Sequence, residues 1–90
     1  MAIEKADITM YGTLWCPDCH RAKAVLKRLG ASFTEIDIDR NKEGRQVVLE
    51  KNGGKQVVPT ILFPDGSVLV EPSNDELSSK IIELDLASGE

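Results

Sequence analysis

Two cysteines three residues apart are the side chains in this sequence best suited to chemistry. Cys16 and Cys19 enclose a proline and an aspartate in the run Trp15-Cys16-Pro17-Asp18-Cys19. A disulfide between residues this close closes a very small ring, which removes little entropy from the unfolded chain and adds little stability. Where the cell keeps thiols reduced, such a pair is more often catalytic, redox-sensing or metal-binding than structural. The spacing therefore favours thiol–disulfide chemistry.

The two cysteines are expected to have different roles. The thiolate is the attacking form of cysteine, and a free thiol with a pKa of about 8.5 is mostly protonated at neutral pH. A helix predicted to begin at Pro17 would place Cys16 at its N-terminus, where unpaired N–H groups and the helix dipole favour negative charge. Cys16 is therefore the predicted nucleophile. Cys19 follows one helical turn later and is the predicted resolving thiol, which attacks a mixed disulfide at Cys16.

The neighbours of the dithiol, Trp15, Pro17 and Asp18, are predicted to tune it. Pro17 suits the first helical position because an N–H group at that position would have no acceptor within the helix, so proline loses no hydrogen bond there. Asp18 is favourable to the helix dipole but repels a nearby thiolate. We hypothesise that Asp18 raises the pKa of the thiol and makes the couple more reducing than a neutral residue would. The alternative is that Asp18 is only a solvated acid that favours the helix.

The same cysteines also match patterns for metal and haem binding. The run from Cys16 to His20 fits Cys-x-x-Cys-His, the attachment motif for c-type haem, but only Met1 and Met10 could supply a methionine axial ligand. Structural zinc normally takes four protein ligands, and beyond two cysteines and one histidine the sequence offers only carboxylates. An iron–sulfur cluster bridged between two chains through Cys16 and external thiols remains an alternative.

Hydrophobic periodicity predicts the element order β-α-β-α-β-β-α. The predicted elements are a strand from Ile8 to Tyr11, a helix from Pro17 to a stop at Gly30, a strand over Phe33–Asp39, a helix over Asn41–Asn52, a hairpin of Thr60–Phe63 and Val68–Val70, and a last helix capped by Ser73 and Glu76. The first two strands should be parallel and the hairpin antiparallel, which gives a four-stranded mixed sheet between helices. The cysteines follow the carboxyl end of the first strand, where open α/β sheets bind ligands.

Composition limits the classes of function. We expect residues 1–90 to form one domain, since 90 residues with 41% hydrophobic and 29% charged residues are ordinary for a small soluble protein. The net charge of −4 and the lack of a basic run argue against nucleic acid as a partner. No apolar stretch approaches the length of a membrane span, and Met1–Lys5 lacks the apolar region of a signal peptide. The expected location is the cytoplasm.

The chain resembles the glutaredoxin branch of the thioredoxin superfamily. The resemblance rests on the dithiol after the first strand, on Val58-Pro59 before the third strand and on the element order, and it covers Asp7 to about Leu86. It implies a thioredoxin-like α/β fold and a thiol–disulfide oxidoreductase that acts as a monomer on disulfide-containing clients. It further implies a cis Val58-Pro59 peptide, with the Val58 backbone pairing with substrate beside Cys16. The resemblance also predicts that Tyr11 and Pro59 bind substrate.

Within that branch the chain is similar to mycoredoxins, which reduce mixed disulfides of mycothiol. The similar segments are Trp15-Cys16, Asn52-Gly53-Gly54, Val58-Pro59-Thr60, Asp65-Gly66-Ser67 and Pro72-Ser73. Glutathione-dependent relatives usually carry Gly-Gly-x-x-Asp before the last helix, where this chain has Glu71-Pro72-Ser73-Asn74-Asp75, and Thr where it has Val57. The resemblance implies mycothiol, or else glutathione, as co-substrate and no bound cofactor. Ser73, Asn74 and Asp75 either donate hydrogen bonds to this thiol or only cap the helix.

Two further functions stay open. Tryptophan also precedes the first cysteine in thioredoxin, so Trp15 is consistent with a reductase of protein disulfides or an electron donor to ribonucleotide reductase. The cluster-binding alternative comes from a different functional class, and absorption of fresh protein separates it from a colourless dithiol enzyme.

Overall fold

The computed structural model describes residues 7–87 and contains the predicted order of elements. The strands and helices are β1 Ile8–Gly12, α1 Pro17–Arg28, β2 Phe33–Asp37, α2 Lys42–Lys51, β3 Thr60–Leu62, β4 Val68–Val70 and α3 Asn74–Glu83. The expectation about Met1–Lys5 falls outside the described residues. No helix within residues 7–87 is long and apolar enough to cross a membrane.

The helices begin where the local sequence offers a cap. Pro17 takes the first position of α1, and the Asn41 side chain accepts a hydrogen bond from Gly44 N at 2.6 Å to start α2. At α3, Ser73 Oγ accepts from Glu76 N at 3.1 Å, while Glu76 Oε1 accepts from Ser73 N at 2.9 Å. This reciprocal pair is the predicted capping box, and it satisfies donors that a helix start otherwise leaves unpaired.

The four strands form one mixed sheet in the order β2-β1-β3-β4. β1 pairs in parallel with β2, in the register Ile8 to Phe33, and antiparallel with β3, in the register Met10 to Ile61. β3 and β4 form the antiparallel hairpin. β1 is therefore hydrogen-bonded on both sides, and the segment that leaves its carboxyl end carries the dithiol.

The sheet separates two hydrophobic clusters because strand side chains alternate between faces. Ile8 and Met10 of β1 pack with α1 and α3 on one face, in a cluster that includes both cysteines. Tyr11 points to the other face and packs with Ile38 and with Val48 of α2. The dithiol thus lies at the edge of the α1–α3 cluster, and α2 covers the opposite face.

Three predicted boundaries extend too far. The second strand ends at Asp37 rather than Asp39, because the chain turns there: Asp39 N donates to Asp37 Oδ1 and Arg40 N to Asp37 O. β3 ends at Leu62, since Phe63 already belongs to the turn that follows, in which the Phe63 carbonyl accepts a hydrogen bond from Gly66 N. The second helix occupies Lys42–Lys51, with Asn41 and Asn52 as its caps.

Candidate active site

The dithiol lies at the junction of β1 and α1. Cys16 immediately precedes the helix with an extended backbone (φ −89°, ψ 113°), and Pro17 follows at the first helical position. The backbone N–H of Cys19 donates a hydrogen bond to Cys16 Sγ at 3.1 Å. A helix N-terminus attracts negative charge because its first N–H groups have no backbone acceptor. Cys16 therefore occupies the position expected of the nucleophile.

Cys19 is held in a different environment. Its side chain is only 1% exposed, against 5% for Cys16, and neither cysteine is in a disulfide. Burial raises the pKa of Cys19 to about 12, and the hydrogen bond that its thiol shares with Cys16 acts in the same direction. The backbone N–H of Thr13 donates to the Cys19 sulfur and opposes the rise in pKa. At neutral pH Cys19 is therefore a protonated thiol, which suits a group that acts second.

Asp18 is tied into a network centred on Arg21. Asp18 Oδ1 accepts from Arg21 Nε at 3.3 Å. The same guanidinium donates to Asn74 Oδ1 at 2.6 Å and to the Pro72 carbonyl at 2.9 Å. The Asp18 charge still contributes to the raised pKa of Cys19, as the hypothesis about Asp18 requires for that thiol. Arg21 thus links the start of α1 to the start of α3.

Trp15 and Leu14 form an exposed apolar surface beside Cys16. Leu14 is 59% exposed and Trp15 68% exposed. The indole Nε1–H of Trp15 donates to Asp39 Oδ2 at 3.0 Å, and His20 Nε2 lies 2.8 Å from the Leu14 carbonyl oxygen. Side chains on both flanks therefore fix the loop that precedes the nucleophile.

Three of the predicted substrate-binding residues, Tyr11, Val58 and Pro59, lie in the sheet or in the loop that leads into β3. The Val58-Pro59 peptide is cis, as the resemblance implies, and Val58 packs against the cluster that contains both cysteines. Tyr11 is 7% exposed and lies with Val58 in the cluster on the α2 face, so its ring serves packing there. Pro59 is buried, and its carbonyl accepts from Glu71 N at 2.9 Å.

The start of α3 approaches the site through backbone and side-chain links. Ser73, Asn74 and Asp75 are all exposed. Ser73 is occupied by the capping box and Asn74 by Arg21, whereas Asp75 contributes an exposed carboxylate to the first turn. Within residues 7–87 no cluster of three or more His, Cys, Asp or Glu side chains is arranged to hold a metal ion.

Sequence reasoning missed three residues that shape the site. The sequence pattern assigns no role to Arg21 or Gly12, and it predicts Asp39 only as the end of a strand. Arg21 and Asp39 act through partners 53 and 24 residues away along the chain, for which a single sequence carries no local signal. Gly12 had a signal, since a glycine that enters a reactive motif often marks a close approach.

The sheet, the cis-proline and the dithiol at a helix start together define a thioredoxin-like thiol–disulfide oxidoreductase. A family model described as Glutaredoxin matches residues 8–68. A protein of Mycobacterium tuberculosis H37Rv named as a glutaredoxin is 39% identical over 79 residues, which cover 88% of this chain and 94% of that protein. Mycoredoxin 1 of Corynebacterium glutamicum is 35% identical over 84% of this chain and 94% of its own length. This chain belongs to the glutaredoxin family.

A solved structure supports the same assignment. The crystal structure of a glutaredoxin from Archaeoglobus fulgidus matches with a TM-score of 0.69 and 30% identity, over 84% of this chain and 86% of that one. The prediction of a thioredoxin-like α/β fold is confirmed.

Proposed function

We propose that this protein reduces mixed disulfides between client proteins and a low-molecular-weight thiol, with Cys16 as nucleophile, Cys19 as resolving thiol and mycothiol as the preferred thiol. The observation that carries the proposal is the asymmetry of the dithiol. Cys16 lies at the N-cap of α1 and accepts a backbone hydrogen bond, while Cys19 is the more deeply buried thiol with the raised pKa.

The reaction begins at Cys16. Its thiolate attacks one sulfur of a disulfide R–S–S–R′, so that a Cys16–S–S–R bond forms, the original S–S bond breaks and R′–S⁻ leaves and takes a proton from water. Cys19 then loses its proton to solvent and attacks the Cys16 sulfur, which forms the Cys16–Cys19 disulfide and releases R–S⁻. Two molecules of reduced thiol return two electrons and leave as their own disulfide. An external thiol that attacks the mixed disulfide gives a one-cysteine route.

The environment of Cys19 gives the two steps an order. Two of the causes that raise its pKa are the hydrogen bond to Cys16 and the charge on Cys16. Both disappear when Cys16 enters a mixed disulfide, whereas the Thr13 N–H still donates to the Cys19 sulfur. Burial, the largest cause of the raised pKa, stays in place, so the pKa of Cys19 falls only in part after the first step, and its thiolate forms more readily once it has a target.

The charge at the start of α3 supports mycothiol over glutathione. Glutathione brings two carboxylates, while mycothiol is a sugar-containing thiol without a γ-glutamyl arm. The nearby cation, Arg21, already contacts Asp18, Asn74 and the Pro72 carbonyl. Asp75 and Glu76 add negative charge to the first turn of α3. A neutral thiol rich in hydroxyls avoids repulsion from these carboxylates, and the similarity to a protein named Mycoredoxin 1 agrees.

The thiol preference is tested by comparing mycothiol-coupled and glutathione-coupled reduction of the same mixed disulfide. We expect kcat/KM to be at least about tenfold higher with mycothiol, which corresponds to about 1.4 kcal/mol. A preference for glutathione contradicts the thiol assignment and leaves the enzyme class intact.

A charge-reversal pair sharpens the comparison. Asp75→Lys should raise kcat/KM for glutathione severalfold, because it converts repulsion into attraction. Glu83→Lys makes the same change of charge at the other end of α3 and should leave it unchanged. If both variants gain equally, net charge rather than the local site sets the preference.

A second candidate, reduction of protein disulfides, is favoured by the exposed Leu14 and Trp15 beside Cys16. A client with an apolar segment next to its disulfide would bury this surface. Cys19→Ser separates the candidates: mixed-disulfide reduction survives because an external thiol can resolve it, whereas reduction of a protein disulfide without added thiol stops. Either reaction draws on a reduced thiol pool, which supports the expectation of a cytoplasmic protein.

A further inference from the structure

We propose that Gly12 is a positioning residue for the resolving step, because its missing side chain leaves the space in which the Cys19 sulfur lies against the end of β1. The inference rests on the proposed two-cysteine reaction and deepens it. It assigns to Gly12 the place of the sulfur that attacks second, whereas the first attack belongs to Cys16.

The contact between Gly12 and Cys19 leaves no room for a side chain at position 12 unless Cys19 or the strand shifts. A Cβ atom on Gly12 would lie 2.7 Å from Cys19 Sγ and 3.2 Å from Cys19 Cβ. Gly12 is not among the glycines with positive φ, which are Gly30, Gly53, Gly54 and Gly66. Glycine is therefore needed at position 12 for space and not for backbone conformation.

Hydrogen bonds restrain the end of the strand against an added methyl group. Gly12 ends the central strand β1, its carbonyl accepts from Ile38 N at 3.0 Å, and the preceding residue Tyr11 pairs with Thr60 of β3. A hydrogen bond to Gly12 on one side, and pairing of its neighbour Tyr11 on the other, therefore restrict movement of residue 12.

Cys19 has to give way instead. Rotation about its Cα–Cβ bond moves Sγ but not Cβ, and both atoms crowd the added methyl group. Cys19 also belongs to the first turn of α1, where its N–H donates to Cys16 Sγ. A methyl group at position 12 thus displaces the Cys19 sulfur relative to its target, or tilts the turn that holds both sulfurs.

The displacement should act on one chemical step. The first step needs only the Cys16 thiolate and the incoming disulfide. In the second step the Cys19 thiolate attacks Cys16, the Cys16–S–S–R bond breaks, R–S⁻ leaves and the Cys16–Cys19 bond forms. A misplacement of about 1 Å between reacting atoms can cost roughly a hundredfold in rate. Gly12→Ala should therefore slow resolution selectively.

Single-turnover kinetics without added thiol test this inference. Release of R′–S⁻ reports the first step and release of R–S⁻ the second. For Gly12→Ala we expect the first rate within about twofold of wild type and the second slower by about ten- to a hundredfold. The Cys16 mixed disulfide should then accumulate and be visible by intact mass. A second rate equal to that of wild type overturns the inference.

Gly44→Ala is the matched control. Gly44 is also buried, and a Cβ there would lie 2.7 Å from Ile36 Cγ2, on the α2 face away from the dithiol. Gly44→Ala should keep both rates near those of wild type. If Gly44→Ala slows resolution as much as Gly12→Ala does, a general loss of packing explains the effect and the inference is wrong.

A stability measurement covers the case in which Gly12→Ala folds poorly. In a Cys19→Ala background the 2.7 Å contact with Sγ is absent, so Gly12→Ala should lower the melting temperature less than it does in wild type. Equal decreases in the two backgrounds overturn the inference. Wild-type protein that shows neither release step contradicts the proposed function itself, which is a separate outcome.

Discussion

Asp18 acts on the dithiol as a charge that its neighbours partly balance. It lies between the two cysteines in sequence, and its carboxylate adds a small contribution, after the dominant effect of burial, to the raised pKa of Cys19. Arg21 holds that carboxylate at 3.2 Å, with Asp18 about half exposed, so solvent and the guanidinium both weaken its field. We expect this charge to disfavour a thiolate in the reduced protein, and therefore to make the couple more reducing at a pH where one of the thiols is ionised.

Asp18→Asn should reverse this effect. The pKa of Cys19 should fall, and the potential should rise by up to a few tens of millivolts, since about 30 mV corresponds to 1.4 kcal/mol for a two-electron couple. The family range of roughly −200 to −230 mV provides the scale. Redox titration and thiol alkylation as a function of pH measure both quantities, with Asp75→Asn as the control for loss of one charge. An unchanged potential and pKa would refute a tuning role for Asp18.

The pKa of Cys19 also predicts how stability depends on pH. Folding raises this pKa from 9.0 to about 12, so the folded state keeps a proton that the unfolded state loses. The contribution of Cys19 to the free energy of unfolding is fully present below pH 9. It is lost as the pH rises toward 12, by at most about 1.4 kcal/mol per pH unit. Urea unfolding of wild type and Cys19→Ala from pH 8 to 11 isolates the contribution. Parallel pH profiles for the two proteins contradict it.

The residues that carry local signals were found from the sequence, and those that act through distant contacts were not. Spacing alone identified Cys16 and Cys19, and Pro17 located the helix start. The partners of Arg21 are brought together only when α1 packs on α3. The contact between Gly12 and Cys19 depends on the angle at which α1 leaves the sheet, which periodicity does not specify.

Among the elements, α1 and α3 are joined at their N-termini, and the join includes the candidate thiol site. Arg21 of α1 donates to the carbonyl of Pro72 and to Asn74, while Glu71 N donates to the carbonyl of Pro59. The cis-proline loop, the start of α3 and the helix of the dithiol therefore form one connected unit. Such a connection orients a binding site without contacting the reacting atoms.

Arg21→Met should loosen this unit. It keeps much of the apolar stem but removes hydrogen bonds to Asp18, Asn74 and the Pro72 carbonyl, so we expect a loss of about 1–2 kcal/mol in unfolding free energy. KM for the low-molecular-weight thiol should rise more than kcat falls. Lys23→Met is the matched control, because Lys23 pairs with Glu35 of β2 instead. A rise in KM of the same size in both variants would show that Arg21 has no particular role.

The boundaries of elements depended on how local the stop signal was. The capping box at Ser73 and Glu76 gave the start of α3 correctly, because both partners lie within one turn. Alternation continued past Asp37 in the sequence because Ile38 is buried against the α2 face, although the backbone has already turned. Burial and strand pairing thus separate at the end of β2.

At the scale of the whole molecule, the sheet separates the hydrophobic cluster that contains the dithiol from the cluster on the α2 face, which contains neither cysteine. The cluster on the α2 face holds the second strand and the cis-proline loop, and the α1–α3 cluster surrounds both cysteines. β1 joins the two faces and ends at the dithiol. We infer that this arrangement makes the two sulfurs unequal, with Cys16 attacking and Cys19 resolving.

Trapping the first intermediate tests that claim most directly. Cys19→Ser should be treated with a mixed disulfide in the absence of free thiol and then examined by intact mass and peptide mapping. Each single variant keeps one cysteine, so we expect one adduct per chain in Cys19→Ser that reduced thiol releases, and in Cys16→Ser both adduct formation and reductase activity lower by about a thousandfold or more. An adduct on Cys19 in the wild-type protein, or full activity in Cys16→Ser, would contradict that claim.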